Sequence, residues 1–407
     1  LNMEKEKKYT PLLIIEEASR CLLCYDAPCS KACPAKTNPA RFIRAVRFRN
    51  FKGAVEVVRE NNALGGVCAR ICPTEKLCQS ACSRCGIDKP IDIAMIQEYI
   101  TDFESSINMQ VLKVVGKENG KIAVVGSGPA GLQAAASLRV KGYEVDVFEK
   151  RDKIGGWLRY GIPSERLPDT VLDKEISHIE ALGVNFILNH KIDKNEFERL
   201  QKDYDAVLLA TGMSEGRTLD LFENDSRVTK AVDFLALNKR NGVEIDENAV
   251  HLVIGGGDVA MDVVTSLKNK GANNVICIAR ETASEFLASK KELSYARELN
   301  ASILDGYTPI SNENGLVRFK HLKLNSELSI KADYIYLAVG QKTCLDDFSV
   351  DKENGYIIAN NYQTSISKVF TAGDVTFSDK LAVYAVKQGK EAADAIDTYL
   401  KGGKKNA

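Results

Sequence analysis

Nine of the chain's eleven cysteines lie between positions 21 and 85, and this clustering constrains the fold more than any other feature of the sequence. Their spacings are Cys21-x2-Cys24-x4-Cys29-x3-Cys33-Pro34 and Cys72-Pro73-x4-Cys78-x3-Cys82, with Cys68 and Cys85 nearby. Bacterial ferredoxins hold [4Fe–4S] clusters with a related run that ends in Cys-Pro, although their middle gap is two residues rather than four. The pattern favours two [4Fe–4S] clusters. Structural zinc is the alternative, because four-cysteine zinc sites also use short spacings.

Length and charge limit the other classes of function. A chain of 407 residues suggests two to four domains. Lysine plus arginine and aspartate plus glutamate both total 55, so the whole chain has no net field to attract nucleic acid. We find no apolar run of about 18 residues that could span a membrane, and no signal peptide. Grouped cysteines without an export signal indicate a reducing cytoplasm and metal ligation rather than disulfides.

The cysteine-rich part is predicted to be helical. The stretch from Ala40 to Glu60 has apolar residues at helical spacing and is predicted to be a helix. Its polar positions are strongly basic: Arg41, Arg44, Arg47, Arg49 and Lys52. They are either a solvated helix face or a set of charges that compensates anionic clusters or docks a partner, since nearby cations favour a reduced cluster.

A dinucleotide-binding turn follows at residues 126–131. A predicted strand ends at Gly126, and the turn runs through Ser127, Gly128, Pro129 and Ala130 to Gly131, where an alanine-rich helix has begun. The glycines permit a tight turn, close approach of a pyrophosphate and close packing of helix on strand. Glu149, 23 residues beyond Gly126, ends the next strand, where a carboxylate can bind ribose hydroxyls.

The dinucleotide at this turn is predicted to be FAD. The segment Gly155-Gly156-Trp157 follows Glu149 closely, and Gly373-Asp374 lies near the C-terminus. A site built from the first and last parts of a chain, around an inserted second nucleotide domain, fits FAD, with Asp374 near its ribityl or phosphate region. The last helix, starting near Leu381, would direct its positive N-terminal dipole at the flavin and stabilise an anionic reduced ring.

A second turn, GGGDVA at residues 255–260, predicts a nicotinamide site. Ala279 stands where the first site has Glu149. Arg280 could stack on adenine or meet a 2′-phosphate, whereas the neighbouring Glu281 would repel a phosphate. Cys277 and Cys344 stand alone in the sequence of this domain, so it offers no C-x-x-C redox pair, and Cys277, which lies in a strand, is expected to be a packed core thiol. We see no Ser/His/Asp triad, and the four histidines show no metal-binding spacing.

These observations predict an α/β protein: a helical iron–sulfur domain followed by two Rossmann-like dinucleotide-binding domains, the second inserted in the first. The expected bounds are 1–110 for the helical domain, 111–235 and 345–407 for the FAD domain, and 236–344 for the NAD(H) domain. The polar N-terminal tip and the tail GGKKNA are expected to be peripheral.

The order of these motifs resembles a known family. A Cys-rich helical domain, GSGPAG, GGWLRYGIPSERLP, GGGDVA and TAGD follow one another as in the small subunit of glutamate synthase and its relatives. The segments ASRCLLCYDAPCSKACP, GGVCARICPTEKLCQSAC and KPIDIAMIQ look closest to the flavin subunit of NAD-dependent dihydropyrimidine dehydrogenase. They are also similar to the N-terminal half of the single-chain eukaryotic enzyme.

The resemblance implies particular ligands. One cluster would use Cys21, Cys24, Cys29 and Cys82, and the other Cys33, Cys72, Cys78 and Gln97; spacing alone could not choose Gln97 over Cys68 or Cys85. Implied FAD contacts fall at Gly126, Ser127, Gly128, Pro129, Ala130, Glu149, Gly155, Gly156, Trp157, Arg166, Ile192 by its backbone, Gly373, Asp374 and Ala382. Implied nicotinamide contacts fall at Gly256, Gly257, Asp258, Val259, Arg280, Ala338 and Gly340. Relatives that use NADPH carry basic residues where this chain has Glu281 and Leu287.

The implied activity is electron input. NADH would reduce FAD, and two [4Fe–4S] clusters would pass electrons to an FMN- and iron–sulfur-bearing barrel subunit that converts uracil or thymine to the 5,6-dihydro form, reversibly. The chain given has no room for such a barrel, which needs about 250 residues. No side-chain acid or base is expected to be catalytic, because the flavin carries the chemistry. The alternatives are a glutamate synthase small subunit, a ferredoxin–NAD(P) oxidoreductase subunit, and a zinc-binding redox-sensing scaffold.

Overall fold

The computed structural model describes residues 9–403. The polar N-terminal tip and the tail from residue 404 lie outside the described residues. The chain divides into two compact units. The first comprises Leu1–Gly156, Arg166–Gly212 and Leu345–Ala407, and the second comprises Trp157–Glu165 and Met213–Cys344.

The first unit begins with short helices. They span Pro11–Ser19 (α1), Pro28–Lys31 (α2), Pro39–Arg47 (α3), Phe51–Arg59 (α4), Gly65–Ile71 (α5) and Ile93–Ser106 (α6), with 3₁₀ turns at Thr74–Lys76 and Ser83–Gly86. Side-chain oxygens of Thr10, Asn38, Asn50 and Asp92 accept hydrogen bonds from the first turns of α1, α3, α4 and α6. Such caps satisfy N–H groups that a helix start leaves unpaired, so local sequence sets where these helices begin.

The expected single helix from Ala40 to Glu60 is instead two helices, α3 and α4. Arg49 between them has a left-handed backbone with φ of 60°, which an α-helix cannot continue through. The next residue, Asn50, accepts from Gly53 N at 2.9 Å and starts α4 as its cap. The apolar spacing is correct for both helices, and Phe42 and Val55 are fully buried, but the break redirects the chain.

A parallel sheet forms the rest of the first unit. Its elements are Lys121–Val125 (β1), Pro129–Lys141 (α7), Glu144–Phe148 (β2), Asp169–Glu180 (α9), Asn185–Ile187 (β3), Lys194–Asp203 (α10), Ala206–Leu209 (β4), Lys352–Glu353 (β15), Tyr356–Ile357 (β16), Val369–Thr371 (β17) and Ala382–Gly403 (α14). The strand order is β17-β4-β1-β2-β3, with every neighbouring pair parallel. The strand near the C-terminus thus joins the same sheet as the first one.

The second unit contains its own parallel sheet. Its elements are Trp157–Tyr160 (α8), Glu215–Gly216 (β5), Val228–Lys230 (β6), Ala231–Asn241 (α11), Val250–Ile254 (β7), Asp258–Asn269 (α12), Asn274–Ile278 (β8), Lys290–Glu298 (α13), Ser302–Leu304 (β9), Tyr307–Glu313 (β10), Leu316–His321 (β11), Glu327–Lys331 (β12), Tyr334–Leu337 (β13) and Gln341–Lys342 (β14). The parallel order is β6-β13-β7-β8-β9; β10, β11 and β12 form a separate antiparallel sheet, and β5 pairs with β14.

The α/β fold with an inserted second dinucleotide domain is therefore confirmed, while the boundary at residue 235 stays a prediction that differs from the division into compact units. Strand β6 pairs in parallel with β13, and α11 contributes buried Phe234 and Leu235 to the core of the second unit. After the short segment Trp157–Glu165, the second unit continues from Met213, so residues 213–235 belong to it. The proposed limit at residue 110 stays a prediction, since the helical part and the first sheet belong to one compact unit.

Candidate functional site

The first group of thiols brings together cysteines that are distant in sequence. Burial, together with smaller contributions from the nearby Cys21 and Cys82 thiols, raises the pKa of the Cys29 thiol to about 11. Burial likewise raises the pKa of Cys21, beside Cys24 and Cys82. The fold thus places Cys82 next to a group that precedes it by more than fifty residues. Cys24 Sγ also donates to Ser83 Oγ at 3.3 Å.

The second group lies at the C-terminal end of α5. Burial raises the pKa of Cys78 to about 12, with further contributions from Cys33 and Cys29. The pKa of Cys72 is raised by its hydrogen bond with Cys68, by burial and by the nearby thiols of Cys68, Cys33 and Cys78. Neutral thiols are favoured in such surroundings, and a bound metal is what turns buried, mutually repelling thiols into thiolates. The chemistry of both groups therefore fits an iron–sulfur cluster.

Three side chains are candidates for the fourth ligand of the second group: Cys68, Gln97 and Cys85. Cys68 lies in α5 one turn before Cys72 and shares a hydrogen bond with it. Gln97, in α6, is 8% exposed and donates Nε2 to Gly65 O at 2.7 Å, which holds its amide against the start of α5. Cys85 is exposed, and its Sγ points to Gln79 O at 3.4 Å. The assignment of Gln97 stays a prediction. Within residues 9–403, no three His, Cys, Asp or Glu side chains are arranged to hold a single metal ion.

The first glycine turn forms a cradle at the end of β1. Gly126 has φ of 107°, and a Cβ at Gly131 would lie 2.0 Å from Gly126 O, so a side chain at Gly131 would collide with the turn. A Cβ at Gly128 would meet nothing within 4 Å, which leaves open space at the start of α7. Gly128 is the N-cap residue of α7, and in the described part of the chain no side chain accepts a capping hydrogen bond there. Free N–H groups and a positive helix end suit a pyrophosphate.

Glu149 is held beside this turn. Its Oε2 accepts from Ser127 N at 3.2 Å and from Ser127 Oγ, and its Oε1 accepts from Arg151 N at 3.0 Å. Ser127 Oγ in turn accepts from Gly155 N at 3.1 Å. A Cβ at Gly156 would lie 2.7 Å from Gly128 Cα. The predicted residues from both segments therefore meet at one place, where the carboxylate keeps lone pairs for ribose hydroxyls.

The last part of the chain comes to the same turn. A Cβ at Gly373 would lie 2.9 Å from Ala130 Cβ, and a Cβ at Gly389 in α14 would lie 2.2 Å from Ala130 O. Burial raises the pKa of Asp374, which follows β17. Ala382 is the first residue of α14. The expected assembly of one cradle from the first and last segments is thus present within the first unit.

Other residues expected at FAD are placed as follows. Ile192 is 4% exposed in the core of the first unit, beyond His190, whose N donates to Glu149 O at 2.9 Å. Arg166 also belongs to the first unit. Trp157 begins α8 in the second unit and packs against the core of that unit, unlike its neighbour Gly156. The role of these residues toward FAD stays a prediction.

The second glycine turn has a carboxylate that comes from an unexpected position. A Cβ at Gly256 would lie 2.8 Å from Glu281 Oε2 and 2.9 Å from Ala279 Cβ. Gly256 occupies the place in this turn that Ser127 has in the first, where Glu149 binds the turn. Glu281, two residues beyond the strand position filled by Ala279, therefore returns its carboxylate to the turn. Periodicity could not show this, because the return depends on the loop after β8.

The remaining predicted residues surround this turn. A Cβ at Gly255 would lie 2.3 Å from Ala338 O. Asp258 Oδ1 accepts from Ser289 N at 2.7 Å and Val259 follows it in α12, whose start at Gly257 has no Cβ contact within 4 Å. Gly340 O accepts from Arg217 N at 3.0 Å, and Arg280 is exposed. The turn, Ala338 and Glu281 therefore form the walls of a second open cradle.

Cys277 and the histidines have structural roles. Cys277 is fully buried, donates Sγ to Gly255 O at 3.3 Å, and has its pKa raised to about 12 by burial, which confirms a packed core thiol. His178, His190, His251 and His321 each have protein hydrogen-bond partners.

A buried charge network was not expected from the sequence. Arg59 in α4 binds Glu104 in α6 at 2.6 Å and Glu175 in α9 at 2.7 Å, and all three side chains are at most 3% exposed. Glu175 Oε2 also accepts from Gly66 N at 3.2 Å, at the start of α5. The network therefore ties three helices of the cysteine-rich part to α9 of the dinucleotide fold. Separations of 45 and 116 residues leave no local signal for it.

Comparison with known proteins first defines the class. Residues 2–109 match the family described as dihydropyrimidine dehydrogenase domain II, 4Fe–4S cluster, and residues 120–389 match the pyridine nucleotide-disulphide oxidoreductase family. FprA of Mycobacterium tuberculosis in complex with NADPH has the same fold (TM-score 0.61, 17% identity, 71% of this chain and 86% of that one). Thioredoxin reductase of Lactococcus lactis also has this fold (TM-score 0.55, 20% identity), and the match covers 70% of this chain and 99% of that one. The chain is a flavoprotein oxidoreductase with a 4Fe–4S domain and uses FAD and NAD.

The particular family follows from sequence identity. The chain is 54% identical over 398 residues to the NAD-dependent dihydropyrimidine dehydrogenase subunit PreT of Escherichia coli O157:H7, covering 97% of this chain and 96% of that one. The small chain of NADPH glutamate synthase of Escherichia coli is more distant, at 30% identity, and the match covers 95% of this chain and 91% of that one. The chain belongs to the family of NAD-dependent dihydropyrimidine dehydrogenase subunits, as the resemblance indicated. No helix of the described residues is long and apolar enough to cross a membrane.

Proposed function

We propose that this chain is the electron-input subunit of a dihydropyrimidine dehydrogenase. It oxidises NADH and passes the electrons to a partner subunit that reduces uracil or thymine to the 5,6-dihydro form, reversibly. The observation that carries the proposal is the joint presence, in one compact unit, of a dinucleotide cradle and two groups of thiols that are at least partly buried. The relatives at 54% identity are named as subunits, which supports a second chain for the substrate.

The first cradle is assigned to FAD. Gly126, Gly128 and the start of α7 hold the pyrophosphate, Glu149 binds ribose hydroxyls, and Asp374 meets the ribityl or phosphate region. The N-terminus of α14 faces the flavin ring, where its dipole favours negative charge. FAD and the clusters supply hydride acceptance and single-electron transfer when bound, so the protein needs no catalytic acid or base.

The second cradle is assigned to NADH. The Gly255–Gly257 turn and the start of α12 bind the pyrophosphate, and Glu281 binds the adenine ribose. A carboxylate at that place accepts hydrogen bonds from free ribose hydroxyls and repels a 2′-phosphate. Arg280 is left exposed and serves either to stack on adenine or to contact a phosphate.

We assign the ligands of two [4Fe–4S] clusters as the family pattern suggests. Cys21, Cys24, Cys29 and Cys82 hold one cluster, and Cys33, Cys72, Cys78 and Gln97 hold the other. The grouping of the thiols supports this division, and the amide of Gln97 has its Nε2 fixed on Gly65 O, which leaves Oε1 to face a ligand. Thiolate ligation of this kind is consistent with a reducing cytoplasm, where we place the protein.

The partner is proposed to be a barrel subunit that carries FMN and further iron–sulfur clusters. Among residues 9–403 the two parallel sheets have five strands each, and neither is an eight-stranded (β/α) barrel. The pyrimidine site is therefore assigned to the partner.

The test uses the purified chain with and without that partner. Alone, it should show flavin and broad iron–sulfur absorption and oxidise NADH with an artificial dye. Loss of NADH that depends on uracil should begin only when the partner subunit is added. Turnover with uracil by the isolated chain would contradict this division of labour, and a colourless, zinc-containing protein would contradict the whole assignment.

A further inference from the structure

A large basin opens on the first unit where the two thiol groups come near the surface. Its volume is about 680 Å³, and its walls come from the loops around α2, from α3 and from α14. Cys24 and Cys33 both line it. They belong to different thiol groups, so the basin is a place where ligands of both proposed clusters can be approached from outside.

The basin is strongly positive. The cations in its wall are Lys31, Lys36, Arg41, Arg44 and Lys387, against the carboxylates Asp26 and Glu391. The whole chain has equal numbers of basic and acidic residues, so this surplus is local. Of the five cations in the basic stretch 40–60, Arg41 and Arg44 line this concave surface beside the thiols.

Part of this charge has no carboxylate partner among residues 9–403. Lys31 pairs with Asp26, and Arg41 pairs with Glu60 at 2.6 Å. Within residues 9–403, Lys36, Arg44 and Lys387 have no carboxylate within ion-pair distance. Unpaired cations around a concave surface attract an anionic partner and raise its rate of encounter.

The rim favours a protein over a small anion. Tyr25 is fully exposed, and Leu22 on the same loop is 46% exposed. Exposed aromatic side chains of this kind are frequent anchors in protein interfaces, whereas a site for a small anion has no use for them. Charge and rim together describe a docking surface for a protein with an acidic face.

We propose that this basin is the docking site of the electron-accepting subunit, which presents an acidic face to it. The inference rests on the proposed function and identifies the surface from which electrons leave the chain. An acceptor seated here lies against Cys24 and Cys33, so electrons reach it from cluster ligands directly. Attraction between unlike charges brings the partner to the basin, and Tyr25 contacts it once docked.

The test is a double charge reversal of exposed basin residues, Lys36→Glu with Arg44→Glu. The control, Lys320→Glu with Arg318→Glu, makes the same change in charge on exposed positions of β11 in the second unit. Rates with the partner subunit and with a dye are measured on the same samples, and their ratio is compared. We expect the basin variant to raise the KM for the partner about tenfold at low salt, an effect that shrinks toward 0.5 M salt.

A second measurement does not need the pyrimidine reaction. Binding of a small acidic ferredoxin is followed by calorimetry at low salt, and it should be lost in the basin variant and kept in the control. Iron and flavin content are measured on each sample to establish that the clusters remain. If the wild-type chain with its partner shows no uracil-dependent loss of NADH but the ferredoxin binds at the basin, the docking proposal stands and the proposed function fails. Equal KM values and equal ferredoxin binding in the two variants, or displacement of ferredoxin by inorganic pyrophosphate alone, would overturn the docking site.

Discussion

At the scale of single residues, the Arg59 network is the most demanding feature of this chain. Two carboxylates and one guanidinium share a site that is almost free of solvent. Desolvation opposes their burial, and the hydrogen bonds of Arg59 to Glu104, Glu175 and Ala63 O offset it. The net contribution of such a buried ion pair to the free energy of unfolding is small. Removing one member is costly, however, because it leaves the remaining charges buried and unpaired.

Arg59→Met should therefore destabilise the protein by about 3–5 kcal/mol, since it leaves Glu104 and Glu175 as uncompensated buried carboxylates. The free energy of unfolding is measured by denaturant titration. Arg41→Met is the control, because Arg41 also pairs with a glutamate but is about half exposed. Its loss should cost no more than about 1 kcal/mol. Similar losses in the two variants would show that the network contributes no more than a surface pair.

Glu281 is the residue that should decide between the two nicotinamide cofactors. Wild type is expected to prefer NADH, and Glu281→Arg should shift the NADH to NADPH ratio of kcat/KM by about 10- to 100-fold toward NADPH. The reason is that an arginine would replace repulsion of the 2′-phosphate by a charge-assisted hydrogen bond. Steady-state dye reduction with each nucleotide measures the ratio. Glu285→Arg, an exposed position on the same loop, should leave it unchanged; equal shifts in both variants would point to overall charge instead.

At the scale of elements, α5 and α6 carry two of the candidate fourth ligands of the proposed second cluster. Cys68 lies in α5 and Cys72 is the residue that follows its last turn, while α6 brings Gln97 to Gly65 at the start of α5. Two helices thus offer different fourth ligands from nearby positions.

Gln97→Ala should perturb the second cluster more than Cys68→Ala or Cys85→Ala does, because the amide is fixed on Gly65 and Cys85 is exposed. Low-temperature electron paramagnetic resonance of the reduced protein, with iron content, makes the comparison. Loss of a cluster in Cys68→Ala with no change in Gln97→Ala would transfer the ligand role to Cys68.

The crossing of α7 and α14 completes the cradle that we assign to FAD. Gly389 permits it, since a Cβ there would lie 2.2 Å from Ala130 O. Gly389→Ala should push α14 away, cost about 1–3 kcal/mol and increase loss of FAD on dilution. Gly402→Ala in the same helix meets no atom within 4 Å and should instead be neutral or stabilising by up to about 1 kcal/mol. Fluorescence of released flavin separates the two, and equal retention would show that the close crossing is not needed.

At the scale of the whole molecule, cysteine-rich helices and the first dinucleotide fold form one compact unit but use separate binding groups. Cys24→Ala should therefore lower iron from about eight to about four atoms per chain and leave FAD bound. Iron assay and flavin absorbance on the same sample measure both. Unchanged iron would refute Cys24 as a ligand, and joint loss of iron and flavin would show that the first cluster supports the FAD fold.

The sequence alone determined the features whose physics is local. Glycine turns and the apolar strands and helices beside them depend on residues a few positions apart, so both dinucleotide folds were predictable, and the order of the motifs along the chain indicated that one is inserted in the other. Spacing of the cysteines indicated iron–sulfur clusters for the same reason. Only the tertiary structure decided what depends on distant chain segments: the Arg59 network, the return of Glu281 to Gly256, and the basin that α14 completes. In each case the interaction energy comes from side chains that only packing brings together, and no local pattern records such a contact.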